Sequence, residues 1–208
     1  MVTAVRRARK VYSMLGSPEV WETARRCHDV LSSAGLPHVL IGGIAVCLYG
    51  YQRKTVGVDL LVRAEDAASV KRSLQQEGFD WDPKEREFRG LGNVPIHVLV
   101  SRESASDDRS FDVRLPDPEV EGVATTIEGL PVIALPRLIE LKIACGLGNM
   151  RRTHRDFADV VELILVHKLS RQFARHLHKA VQPAFRALVL NARGGRQREV
   201  LFQNFVST

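Results

Sequence analysis

The run HVLIGGIAVCLYG, residues 38–50, constrains the fold more than any other stretch of this chain. Four apolar residues, two adjacent glycines and a second apolar run read as a strand (38–41), a tight turn and a buried helix over about 43–50. A second strand follows in VGVDLLV (56–62), where Asp59 is the single polar side chain. Continuous apolar runs of this kind are buried on both faces of a sheet, so helices must cover it. VPIHVLV (94–100) supplies a third strand, and VATTIEGLPVIAL (123–135) a hairpin with a Glu-Gly turn. Between the second and third strands, residues 65–77 form an amphipathic helix with acids in its first turn and Gly78 just beyond its end. Residues 79–93 are polar and fit a short strand with turns.

The flanking regions are helical. One N-terminal helix is expected over 3–15, and a second opens with Ser17 as cap and Pro18 in the first turn, running to Gly35. Beyond Pro136 the helical pattern recurs over 136–147, 151–168, 170–180 and 183–192. The fold class is therefore α/β (α+β): a small mixed β-sheet flanked by helices, with a helical C-terminal region. The expected divisions are N-terminal helices at 1–35, an α/β core at 36–135, a helical region at 136–192 and a basic, mobile tail at 193–208.

Composition narrows the function classes. Of 208 residues, 45% are hydrophobic and 26% charged, which is enough for one substantial globular domain. No apolar run reaches the roughly 18 residues needed to span a bilayer, so no membrane partner is expected. The basic N-terminus has neither a sustained apolar core nor a small-residue cleavage site, which argues against a signal peptide and for the cytoplasm. Cys27, Cys47 and Cys145 are far apart and sit in apolar patterns, reading as buried thiols rather than disulfides. Of the formal net charge of +6, residues 151–208 hold more than the whole, with 11 Lys and Arg against four acids. This imbalance suits an anionic partner such as a nucleotide, RNA or an acidic protein, although a solvated Arg-rich surface would read the same way.

Three features carry chemistry. Gly42 and Gly43 lie between a strand and a helix N-terminus, where absent side chains let phosphates approach backbone N–H groups; a turn needing positive φ would use glycine equally well. Arg53 and Thr55 precede the second strand and can meet phosphates, or lie on the surface. Asp59 is a carboxylate in an apolar strand, which is costly to bury without a cation or strong donors. Its partner is a metal ion or a basic side chain.

The order Gly42-Gly43, short helix, Gly50, Arg53-x-Thr55 and then a strand bearing Asp59 resembles the nucleotidyltransferase superfamily. Within it, the likeness is to the minimal bacterial enzymes of toxin–antitoxin and abortive-infection systems. Their second strand reads R-x-T-x-D-x-D, and a later strand carries a third carboxylate in a phrase like "IDVL". Here the phrases are Arg53-Lys-Thr55-Val-Gly57-Val-Asp59 and Ile96-His97-Val98-Leu99. The segment LPVIALPRLIELKIACGLGNMRRTHRDFADVVELI resembles the family's downstream LK and RxKDxAD phrases, mapping onto Lys142, Arg155, Asp156 and Asp159.

The resemblance spans about residues 36–168 and implies an NTP ligand with Mg²⁺ or Mn²⁺. It assigns Asp59, His97 and Lys142 to catalysis, and Asp59 with His97 to metal. Gly42, Gly43, Arg53, Thr55, Arg155 and Asp156 fall to the nucleotide. Two-metal transfer needs hard oxygen ligands around both ions. Gly57 offers none and His97 only a borderline nitrogen, so catalysis is expected to be impaired and the protein to act by binding. His97 with Asp59 could instead hold one softer ion such as Mn²⁺ or Zn²⁺, or serve as general base. The competing expectations are an active transferase acting on an RNA, protein or small-molecule acceptor, and a non-catalytic scaffold for RNA or an acidic protein. A homo-oligomer is compatible with each.

Overall fold

The structure, a computed structural model, describes residues 18–106 and 112–206, with side chains as far as residue 194. The helix expected over 3–15 and the Ser17 cap lie outside the described residues. The chain divides into two compact units. One comprises Met1–Ser104 and Arg114–Leu138, the other Ala105–Val113 and Ile139–Thr208.

The first unit holds a seven-stranded mixed sheet. Its strands are β1 (His38–Ile41), β2 (Val58–Val62), β3 (Asp80–Asp82), β4 (Glu87–Arg89), β5 (Pro95–Val100), β6 (Ala124–Ile127) and β7 (Leu130–Ile133). They lie in the order β3-β4-β5-β2-β1-β7-β6. β2 runs parallel to β5 and antiparallel to β1, while β1 runs parallel to β7. The apolar runs that marked β1 and β2 occupy the centre of this sheet. Val39, Leu40, Val58, Leu60, Leu61 and Val62 are each at most 1% exposed. Helices α1 (Pro18–Ser33), α2 (Gly42–Leu48) and α3 (Ala67–Gln76) complete the unit, and α1 packs on α3, β1 and β2. The hairpin turn falls at Glu128-Gly129, both with positive φ, as a tight turn matching strand twist requires.

Two expectations need correction here. β2 begins at Val58 rather than 56, so Gly57 is outside the strand. The reason lies in its neighbour: Val58 pairs with Ile96, and the next position back on β5 is Pro95. A proline has no N–H to extend the ladder. The polar stretch 79–93 forms two strands rather than one, β3 and β4, followed by a 3₁₀ turn at Leu91–Asn93.

In the second unit, α4 (Leu135–Gly148) contributes its residues from Ile139 onward. It is joined by α5 (Met150–Val166) and α6 (Gln182–Val206). Asn149 caps α5, its side-chain oxygen accepting from the Arg151 N–H at 3.0 Å. The helix expected over 170–180 is instead two 3₁₀ turns, Arg171–His176 and Lys179–Val181. Leu177 between them has extended backbone and is buried, so the chain breaks its helix to send this side chain into the core. The helix expected over 183–192 starts at Gln182 and runs through Val206. Among the described residues, no helix is long and apolar enough to cross a membrane.

Candidate functional site

The antiparallel register of β1 and β2 sets Ile41 opposite Asp59, which brings the Asp59 side chain to the first residues of α2. Gly42 begins that helix at φ +66°, a conformation an L side chain rarely adopts. It also leaves space for the carboxylate, since a Cβ on Gly42 would lie 1.9 Å from Asp59 Oδ2. Gly43 plays the same part for Thr55, whose Oγ1 would lie 2.3 Å from a Cβ there, with an Arg53 Nη at 3.4 Å. The diglycine therefore receives the chain's own Asp59, Thr55 and Arg53, gathering these sequence-predicted positions into one corner. Thr55 is buried, and Arg53 donates from Nη1 to the Lys54 carbonyl at 3.2 Å.

On the other side of Asp59 stands His97, its direct partner in the parallel β2–β5 pair. Direct partners share a face of the sheet. His97 Nδ1 lies 3.0 Å from Asp59 Oδ1, and His97 Nε2 lies 2.7 Å from Glu87 Oε2 on β4. A carboxylate within hydrogen-bonding distance of each ring nitrogen favours the doubly protonated ring, in which both nitrogens donate. The hydrogen bond to Asp59 is the largest influence raising the His97 pKa above its usual value; partial burial opposes it, and the charges of Asp59 and Glu87 add to it. Arg89 Nη2 reaches the other Glu87 oxygen at 2.5 Å, and Asp82 lies opposite Glu87 on β3. With Arg89 Nη2 also 3.7 Å from Asp82 Oδ2, basic and acidic side chains alternate along Asp82, Arg89, Glu87, His97 and Asp59 across four strands. Glu87 was missed in the sequence because nothing in the polar 79–93 stretch marks its register against His97.

This donor set does not fit a pair of Mg²⁺ ions. Asp59 supplies one carboxylate, Gly57 none, and both His97 nitrogens face carboxylates. Among the described residues, no group of three or more His, Cys, Asp or Glu could hold a metal. Gly57 is moreover shaped by packing: a Cβ there would meet the Pro95 carbonyl oxygen at 2.9 Å and Pro95 Cγ at 3.1 Å. The corner remains accessible, with the Asp59 side chain 31% exposed and that of His97 48%.

Within the second unit, Lys142 is buried on α4 and lies 2.8 Å from Asp156 Oδ1 and 2.7 Å from Asp159 Oδ2 on α5. Arg152 Nε lies 3.1 Å from the other Asp156 oxygen. Lys142 thereby joins α4 to the two acids of α5. The spacing of Asp156 and Asp159 sets both acids on one helix face. Arg155 is exposed.

No family profile and no curated protein matches the chain. Solved structures do. An antigenic nucleotidyltransferase-like protein from Paracoccidioides brasiliensis aligns at 18% identity over 83% of this chain and 93% of its own, with a TM-score of 0.52. JHP933 from Helicobacter pylori aligns at 15% identity over 91% of this chain and 97% of its own, with a TM-score of 0.50. At such identities the likeness concerns the backbone. Together with the mixed sheet and its flanking helices, it identifies the chain as having a nucleotidyltransferase-like fold.

Proposed function

We propose that this protein binds a nucleotide through its phosphates at the Gly42–Gly43 corner and does not support two-metal nucleotidyl transfer. The observation that carries this reading is the double engagement of His97 by Asp59 and Glu87. An imidazolium beside Asp59 supplies in situ the positive charge that a metal ion would bring, and it repels a divalent cation from the same carboxylate. Arg53, its guanidinium beside Gly43, adds a second positive charge at this corner toward a phosphate group. A protein of this kind acts by holding its ligand, as a regulator or as a partner of another enzyme.

Thermal denaturation with each of the four NTPs, with and without Mg²⁺ or Mn²⁺, tests the reading. Nucleotide alone is expected to raise the melting temperature, in line with about 2.7 kcal/mol of stabilisation at a hundredfold excess over Kd. Addition of metal should bring no further rise. Metal-dependent incorporation of labelled NTP by the wild type, or no stabilisation by any nucleotide, would overturn it.

A second reading is an active transferase that uses one metal ion on Asp59. The partial exposure of Asp59 and the proximity of a further acid, Glu87, favour it. His97→Asp removes the cation and adds a carboxylate, so it separates the two readings. Metal-dependent stabilisation gained only in that variant supports the first, whereas equal metal dependence in wild type and variant supports the second.

A further inference from the structure

A cleft of about 400 Å³ in the second unit is lined by Arg171, Gln172, Arg175 and Arg186. The volume falls in the range of sites for small ligands, about 300–1,000 Å³. Arg171 and Arg175 belong to the first 3₁₀ turn, and Arg186 to the second turn of α6. Three guanidinium groups around one cleft repel each other unless an anion lies among them.

Two of these arginines are oriented by side-chain acceptors that are not carboxylates. Arg175 Nε donates to His176 Nε2 at 3.1 Å, which requires a lone pair on that nitrogen. The His176 ring is itself fixed against Phe173, centroid to centroid 5.5 Å, and Phe173 packs on the fully buried Phe185 at 5.7 Å. Arg186 Nη2 donates to Gln182 Oε1 at 2.9 Å, and Gln182 Nε2 donates in turn to the Leu177 carbonyl at 3.0 Å. Among the described residues, no carboxylate forms an ion pair with Arg171, Arg175 or Arg186. Arg63, Arg89 and Arg152 by contrast each have at least one. Neutral acceptors thus orient two guanidinium forks without cancelling their charge, and the planar donors left over suit phosphate oxygens.

We propose that the cleft lined by Arg171, Arg175 and Arg186 is a binding site for clustered phosphate groups of a polyribonucleotide backbone or a free polyphosphate chain. None of its residues belongs to the Asp59 corner, so the two sites stand or fall separately.

Fluorescence anisotropy on the full chain tests it, with labelled oligo(U) as probe and unlabelled oligo(U), tripolyphosphate, ATP and polyglutamate as competitors. Wild type is expected to bind oligo(U), and no binding would overturn the proposal. Displacement by tripolyphosphate at lower concentration than by unlabelled oligo(U) marks the ligand as a free polyphosphate, and the reverse order marks it as a strand backbone. Arg171→Gln with Arg175→Gln should weaken binding about tenfold or more and lower the salt dependence by about 0.7 for each phosphate no longer neutralised. Arg175→Lys, which keeps the charge but not the fork, should lose part of the affinity. Competition by polyglutamate as effective as that by tripolyphosphate, or full affinity in the folded double variant, would overturn the proposal.

Discussion

A Cβ on Gly42 would fall on the Asp59 carboxylate, and that pair is where the local sequence is least replaceable. Gly42→Ala would bring two penalties: a left-handed backbone, about 1–2 kcal/mol for an L residue, and a Cβ 1.9 Å from Asp59 Oδ2. The expected loss is about 2–4 kcal/mol by urea denaturation. In an Asp59→Ala background the carboxylate is gone and the same substitution should cost only the backbone share, a coupling that a double-mutant cycle reads directly. Gly57 is a different case. From the sequence it reads as a metal ligand lost from a strand. In the structure it lies just before β2 and is pressed on Pro95, so Gly57→Asp should destabilise the fold rather than rebuild a site. The spacing to Asp59 was legible in the sequence, but the approach of Pro95 was not, because it depends on the pairing of strands some forty residues apart.

Elements were readable in proportion to their apolar periodicity. β1, the β6–β7 hairpin, α4 and α5 fall close to their expected spans, since each shows an uninterrupted pattern and a turn or cap signal. β3 and β4 were legible only as a polar stretch, because three-residue strands carry no usable period, and Glu87 went unseen with them. The α4–α5 contact is a middle case: Lys142, Asp156 and Asp159 stood out by type and spacing, but the sequence does not say whether the lysine faces a phosphate or the acids. Here it faces the acids, in the buried core. Lys142→Met would remove the buried cation that both Asp156 and Asp159 face and is expected to cost about 3–5 kcal/mol. Combining it with Asp156→Asn and Asp159→Asn removes the stranded charge and should recover most of that loss. Failure of the triple variant to recover would mean that the cluster carries more than an internal charge balance.

For the molecule as a whole, two histidines set opposite pH limits on stability. The folded-state pKa of His97 is raised, chiefly by its hydrogen bond to Asp59. Its contribution is therefore complete below the unfolded value of about 6.5 and fades as pH rises through the folded value. His38 titrates the other way. Burial is the largest influence lowering its pKa; the hydrogen bond from Nδ1 to the Leu36 carbonyl at 2.8 Å opposes this, and nearby His28 adds to it. His28 Nδ1 lies 2.9 Å from His38 Nε2. The contribution of His38 is complete above about 6.5 and is lost as pH falls through the folded value. The unfolded chain thus binds the extra proton on the acid side, and the folded chain binds it on the alkaline side. Stability from these two groups should peak near the unfolded histidine pKa and decline in both directions. Melting temperatures from pH 5 to 9 should follow that dome. His97→Gln should flatten the alkaline limb and leave the acid limb intact, because His38 and His28 lie at the start of β1 and on α1, away from the Asp59–Glu87 row. An alkaline limb unchanged in that variant would show that His97 is not held as an imidazolium, and the charge argument against metal at Asp59 would fall with it.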